Sequence, residues 1–98
     1  MAQRRFVIEC DIPGASRMSP EQLRDASRQV NKVLKELKEL GPDIRWEQSN
    51  VAGDKIYCVF TAPREALIRE HAQKSGFPAN RITPVAAVID PSTAQAAR

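Results

Sequence analysis

The sequence predicts one α+β domain, a four-stranded antiparallel sheet with two helices on one face, arranged as a ferredoxin-like sandwich. Three observations carry that expectation. Two helical stretches have clear start and stop signals. Four short stretches alternate apolar and polar residues, or run apolar between turn residues, as strands do. Their order is β-α-β-β-α-β, and right-handed crossovers turn that order into this sandwich.

Residues 5–12 alternate, with Phe6, Ile8, Cys10 and Ile12 on one face and Val7, Glu9 and Asp11 on the other. Pro13-Gly14 ends this strand. Ser19 is a good N-cap, Pro20 suits the first helical position and Gln22 completes a capping box, with Met18 placed to staple onto Leu23. Leu23, Ala26, Val30, Val33, Leu34 and Leu37 form the apolar stripe of this helix, and Gly41-Pro42 stops it.

Residues 44–51 read as a second, more polar strand. Simple alternation puts Ile44, Trp46, Gln48 and Asn50 on one face and Arg45, Glu47 and Ser49 on the other. Ala52-Gly53-Asp54 turns the chain into a third strand, 55–61, where Ile56, Cys58 and Phe60 oppose Tyr57 and Val59. A second helix, 64–75, begins after Pro63 and stops at Gly76-Phe77-Pro78. A last strand is expected over 82–89, apolar on both faces. The domain is expected to span 1–91, with 92–98 a loose tail.

With 98 residues there is room for one modest core. Only 5% of residues are aromatic, so aliphatic side chains must fill most of it. No apolar run approaches the roughly 20 residues of a membrane helix, and the N-terminal residues show no signal-peptide core, so a cytoplasmic protein is expected. Two cysteines, Cys10 and Cys58, lack metal-motif spacing and are expected as buried, reduced thiols. A net charge of +3 permits an anionic partner without demanding one.

The helices cover one face of the sheet. The other, with Val7, Glu9, Tyr57, Val59 and a row of the last strand, is too apolar to stand in water. That predicts a homodimer packed sheet to sheet around a cavity.

His71, the lone histidine, shares a helix face with Leu67, Ile68, Ala72 and Ser75. It reads either as a metal ligand or general base, or as a core histidine satisfied by backbone. Glu9 can supply an oxygen donor or proton acceptor, or pair with a cation across the sheet. Trp46 and Tyr57 can shape a pocket and place one donor each in it. RNA-recognition modules of this strand order need exposed aromatics on their first and third strands. Here Val7 and Glu9 occupy those positions on the first strand, so no nucleic-acid partner is expected. Arg24, Arg28, Lys32 and Lys35 read as a solvated helix face. Phosphate loops, zinc-protease motifs and nucleophile elbows are absent from the sequence.

Several runs resemble a known family: Ile12-Pro13-Gly14, Leu40-Gly41-Pro42-Asp43-Ile44-Arg45-Trp46, and the stretch from Asp54 to Pro63. The most specific is Ile68-Arg69-Glu70-His71-Ala72 followed by Gly76-Phe77-Pro78-Ala79, and the chain closes with Ile89-Asp90-Pro91-Ser92-Thr93. Across residues 5–93 the chain resembles a bacterial family of small ferredoxin-like proteins of unknown function, often described as nickel-binding. The resemblance implies a sandwich that dimerises into an α/β barrel and a nickel-binding role reported for part of the family. On these grounds the expected function is that of a homodimeric binding protein that takes a divalent transition metal such as nickel, with His71 and Glu9 as candidate ligands. The alternative is a cofactor-free enzyme, of monooxygenase or isomerase type, with a pocket near His71 and Glu9.

Overall fold

The computed structural model describes residues 3–96. Its elements run β1 (Arg4–Asp11), a 3₁₀ turn (Ala15–Arg17), α1 (Pro20–Lys38), β2 (Arg45–Ala52), β3 (Lys55–Ala62), α2 (Glu65–Ser75), β4 (Arg81–Pro84) and a one-turn helix, α3 (Thr93–Ala96). The four strands form one antiparallel sheet in the order β2-β3-β1-β4.

The helix signals read in the sequence are realised. Ser19 Oγ accepts the Gln22 N–H at 3.1 Å, while Gln22 Oε1 accepts the Ser19 N–H at 2.8 Å, so two otherwise unpaired donors satisfy each other's residue. Gly76 ends α2 at φ 83°, a left-handed conformation that a Cβ disfavours, and its N–H donates to the Ala72 carbonyl.

The β2–β3 turn is tied to the start of the chain. Ile12 N–H donates to the Asp54 carbonyl at 2.8 Å and Gly14 N–H to the Asp54 carboxylate at 2.9 Å. Ser16 donates to the Gly53 carbonyl through both its backbone and its hydroxyl. The loop after β1 is thereby fastened to the hairpin at the same end of the sheet.

The core lies between the helices and one face of the sheet. Phe6, Ile8, Cys10, Ile56 and Phe60 from β1 and β3 pack with Val30, Val33, Leu34 and Leu37 of α1 and with Leu67 and Ile68 of α2. This is the alternation expected of β1 and β3, with Ile12 and Cys58 only partly buried against the cluster.

Two expectations fail. Strand β4 stops at Pro84, not Ile89. Its pairing with β1 extends through Phe6↔Pro84, and Val85 N–H still donates to the Arg5 carbonyl, but almost no β1 remains beyond that point to pair with. Val88 and Ile89 are 63% and 78% exposed in consequence. The second failure is in β2. The register pairs Trp46 with Phe60 but Gln48 with Val59, so Glu47 is an extra, bulged residue. The bulge inverts parity downstream. Ser49 and Val51 join Trp46 on the helix-covered side, and Gln48 and Asn50 move to the open side, across from Val59 and Tyr57.

The tail read as patternless from residue 92 carries the single turn of α3, with Asp90 accepting from Ser92 and donating its N–H to Thr93 Oγ1 at 2.9 Å. Among the described residues no helix is long and apolar enough to cross a membrane.

Candidate functional site

The residues singled out in the sequence fall in three different places. His71 is 4% exposed, in the core between the two helices. Its Nε2 lies 3.2 Å from the carbonyl oxygen of Val30 in α1. A carbonyl can only accept, so Nε2 carries the proton. The ring also packs against Phe60, centroid to centroid 5.1 Å at 55°. Burial holds the His71 pKa below the ordinary histidine value, opposed by the bond to Val30, so the ring stays neutral. In this setting His71 bridges α2 to α1 through the Val30 carbonyl and packs on Phe60 of β3.

Glu9 and Tyr57 lie directly opposite each other on the open face, as the alternation of β1 and β3 requires. Glu9 is held by cations: Lys55 Nζ at 3.4 Å and Arg81 Nε at 3.9 Å. The hydrogen bond from Lys55 to Glu9 raises the Lys55 pKa, with Asp11 adding to the effect. Phe60, against which His71 packs, is on the covered face. Glu9 and His71 are therefore on opposite sides of the sheet, and one protomer does not bring them to a shared ion or a shared pocket. Among the described residues, no group of three or more His, Cys, Asp or Glu side chains can hold a metal ion.

The open face also carries a depression of about 450 Å³. Val7, Val59, Val85, Val88 and Ile89 line it, together with Arg5, Glu47 and Gln48. Thr61 Oγ1 donates to the Glu47 carboxylate at 2.7 Å, which fixes the bulged residue toward this side.

Trp46 lies in a third place. With Cys10, Cys58 and Ser49 it lines a cleft of about 240 Å³ between the N-terminal half of α1 and the covered face of the sheet. Leu23 and Ala26, expected in the buried stripe of α1, instead form one wall of this cleft, and Leu23 is 37% exposed. Phe77, from the loop after α2, forms part of another wall.

A chain of hydrogen bonds crosses the cleft floor. Trp46 Nε1–H donates to Ser49 Oγ at 2.9 Å, and Ser49 Oγ–H donates to Cys58 Sγ at 3.0 Å. Cys10 and Cys58 are both free thiols. The neighbouring Cys10 thiol, helped by the Ser49 hydroxyl and opposed by burial, lowers the Cys58 pKa to about 7. The same pairing, together with burial, drives the Cys10 thiol well above its usual range. Cys58, the more exposed of the two, is the one whose ionisation its surroundings favour.

This arrangement was hidden in the sequence because it depends on the bulge. Simple alternation puts Ser49 on the face opposite Trp46 and Cys58. The one available signal was that Cys10 and Cys58 share the covered face of adjacent strands.

The fold and this geometry can be set beside known proteins. The model of a family described as "Nickel responsive protein SCO4226-like" matches residues 6–85. No curated protein matches the chain. A solved structure, the crystal structure of SCO4226 from Streptomyces coelicolor A3(2), is similar with a TM-score of 0.68 at 20% sequence identity. The alignment covers 87% of this chain and 99% of that one. At that identity the structural likeness speaks to the fold, while the family model, covering most of the chain, shows membership. The chain belongs to the SCO4226-like family of nickel responsive proteins.

Proposed function

We propose that this chain is a ferredoxin-like, homodimeric binding protein whose response to nickel belongs to the dimer and not to the single protomer. The observation that carries the reading is the open face of the sheet. Val7 and Val59 form a direct cross-strand pair there, and Val85, Val88 and Ile89 extend the apolar surface. Arg5 and Glu47, which also line the depression, give the patch both signs of charge. A two-fold interface must be self-complementary, and a patch with an apolar centre and one charge of each sign meets that requirement.

Nickel enters as the metal named in the family description. Within one protomer His71 is occupied by the Val30 carbonyl and Glu9 by two cations. A nickel site on this chain would therefore have to be completed across the interface, where a second copy brings a second open face. The dimer also supplies the cytoplasmic binding role with the cavity that the isolated sheet lacks.

The test is a titration of tag-free protein with nickel, run beside a mass measurement by light scattering. The wild type is expected to be a dimer that gives binding heat with nickel. Val59→Glu places a charge in the apolar centre and is expected to give a folded monomer without that heat. A wild-type monomer, or a Val59→Glu monomer with an unchanged nickel isotherm, would contradict the proposal.

A further inference from the structure

We propose that the cleft between α1 and the sheet is a covalent-capture site for small apolar molecules bearing an α,β-unsaturated carbonyl, with Cys58 Sγ as the nucleophile. The site is on the covered face, away from the proposed dimer interface, and stands independently of it.

Three observations converge on Cys58. It is half-buried at the floor of the cleft, where its neighbour Cys10 is fully buried. Its sulfur accepts the Ser49 hydroxyl at 3.0 Å, itself fixed by Trp46. Donors aimed at one sulfur favour its anionic form, which is the reactive one. The other walls, Leu23, Val30, Val51 and Phe77 among them, are apolar. No charged side chain lines the cleft, and Cys10 is the one other titratable group among its described lining residues. Such a site excludes ionic electrophiles and concentrates apolar ones.

The register argues against a disulfide as the purpose of the pair. Cys58 is opposite Ile8, and Cys10 is opposite Ile56, so the two cysteines are diagonal neighbours. Diagonal Cα atoms lie about 7–8 Å apart, at or beyond the reach of a disulfide. Both cysteines are free, and Cys58 is the more exposed of the two. The cleft volume, about 240 Å³, falls below the range typical of drug-sized ligands, so the occupant is a small molecule.

The step balances without a co-reactant. The Cys58 thiolate adds to the β-carbon of the ligand. One C–S bond forms, the C=C π bond breaks, and its electron pair moves to the carbonyl oxygen as an enolate. Water at the cleft mouth protonates the α-carbon, returning the proton that Cys58 released on ionising. The product is a thioether, and nothing is oxidised or reduced.

The experiment compares N-ethylmaleimide with a maleimide of the same reactive group carrying a sulfonate, on the full-length native protein. Rates are followed by intact mass, adducts are located by peptide mapping, and each rate is normalised to that of glutathione. One adduct, on Cys58, is expected first. N-ethylmaleimide is expected to be favoured over the sulfonated reagent by about tenfold after normalisation, the penalty for carrying a charge into an apolar site. Ser49→Ala removes one donor to the sulfur, so the pH midpoint of the reaction is expected to rise by roughly one unit. Leu23→Trp fills the cleft mouth from a partly exposed position and leaves the hydrogen-bond chain in place, so it is expected to slow N-ethylmaleimide selectively. First modification at Cys10, equal normalised rates for the two reagents, or reaction only after unfolding would overturn the proposal.

Discussion

Phe6 and Val7 are consecutive residues of one strand, yet they belong to different kinds of surface. Phe6 is 1% exposed against the helices, while Val7 looks out through the uncovered side of the same sheet. The covered face closes within the chain: α1 and α2 pack over it, His71 ties them together, and the thiol cleft opens beside the N-terminal half of α1. The open face has no such cover. It keeps valines, a tyrosine and a glutamate half-buried around a shallow depression. The period of two in a β-strand separates a core that the helices close from a face that they leave open.

The largest effect expected from this contrast is on stability. Phe6→Ala leaves a cavity in the core and should cost about 3–5 kcal/mol, whereas Val7→Ala on the open face should cost about 1 kcal/mol. Urea unfolding of the two variants in parallel measures the difference. Equal losses would mean that the two faces are not distinct within the protomer.

The next effect is a pH dependence belonging to the covered face. His71 binds its proton more weakly folded than unfolded, because burial disfavours the charged ring. Below the ordinary histidine pKa of about 6.5 the unfolded chain therefore holds more protons than the folded one. Stability is fully present above that pH and falls as the pH drops through it, with a slope of at most about 1.4 kcal/mol per pH unit for one group. As His71 is the single histidine, His71→Gln should flatten the slope in this window. Unfolding midpoints at pH 7 and 5.5 measure it. A slope unchanged by the substitution would separate His71 from the effect.

The smallest expected effect is at Glu47. Its bond to Thr61 is on the exposed open face, so Glu47→Ala should shift stability by no more than about 0.5 kcal/mol. A larger loss would make the side chain, and not the extra backbone residue, the cause of the bulge.

The covered face was largely legible in the sequence. Phe6, Ile8, Cys10, Ile56 and Phe60 could be placed by alternation, and α1 by its cap and stripe, because burial selects apolar residues at fixed spacing. What was not legible depended on neighbours. The Glu47 bulge has no local signature, since any exposed residue can be the extra one, and it decides where Ser49 points. The end of β4 was set by where its partner strand runs out, which the apolar run Val85–Ile89 does not reveal. His71 was visible as an inward residue, but its role depended on the Val30 carbonyl of another helix. Leu23 belonged to the stripe by spacing, yet the end of α1 that carries it stands away from the sheet.

The central claim is that the open face is where two copies meet. Sedimentation equilibrium of the wild type and Val59→Glu, with circular dichroism to confirm that both are folded, tests it most directly. The account predicts the mass of a dimer for the wild type and of a folded monomer for the variant. A monomeric wild type, or a variant that remains dimeric with an unchanged association constant, would contradict it.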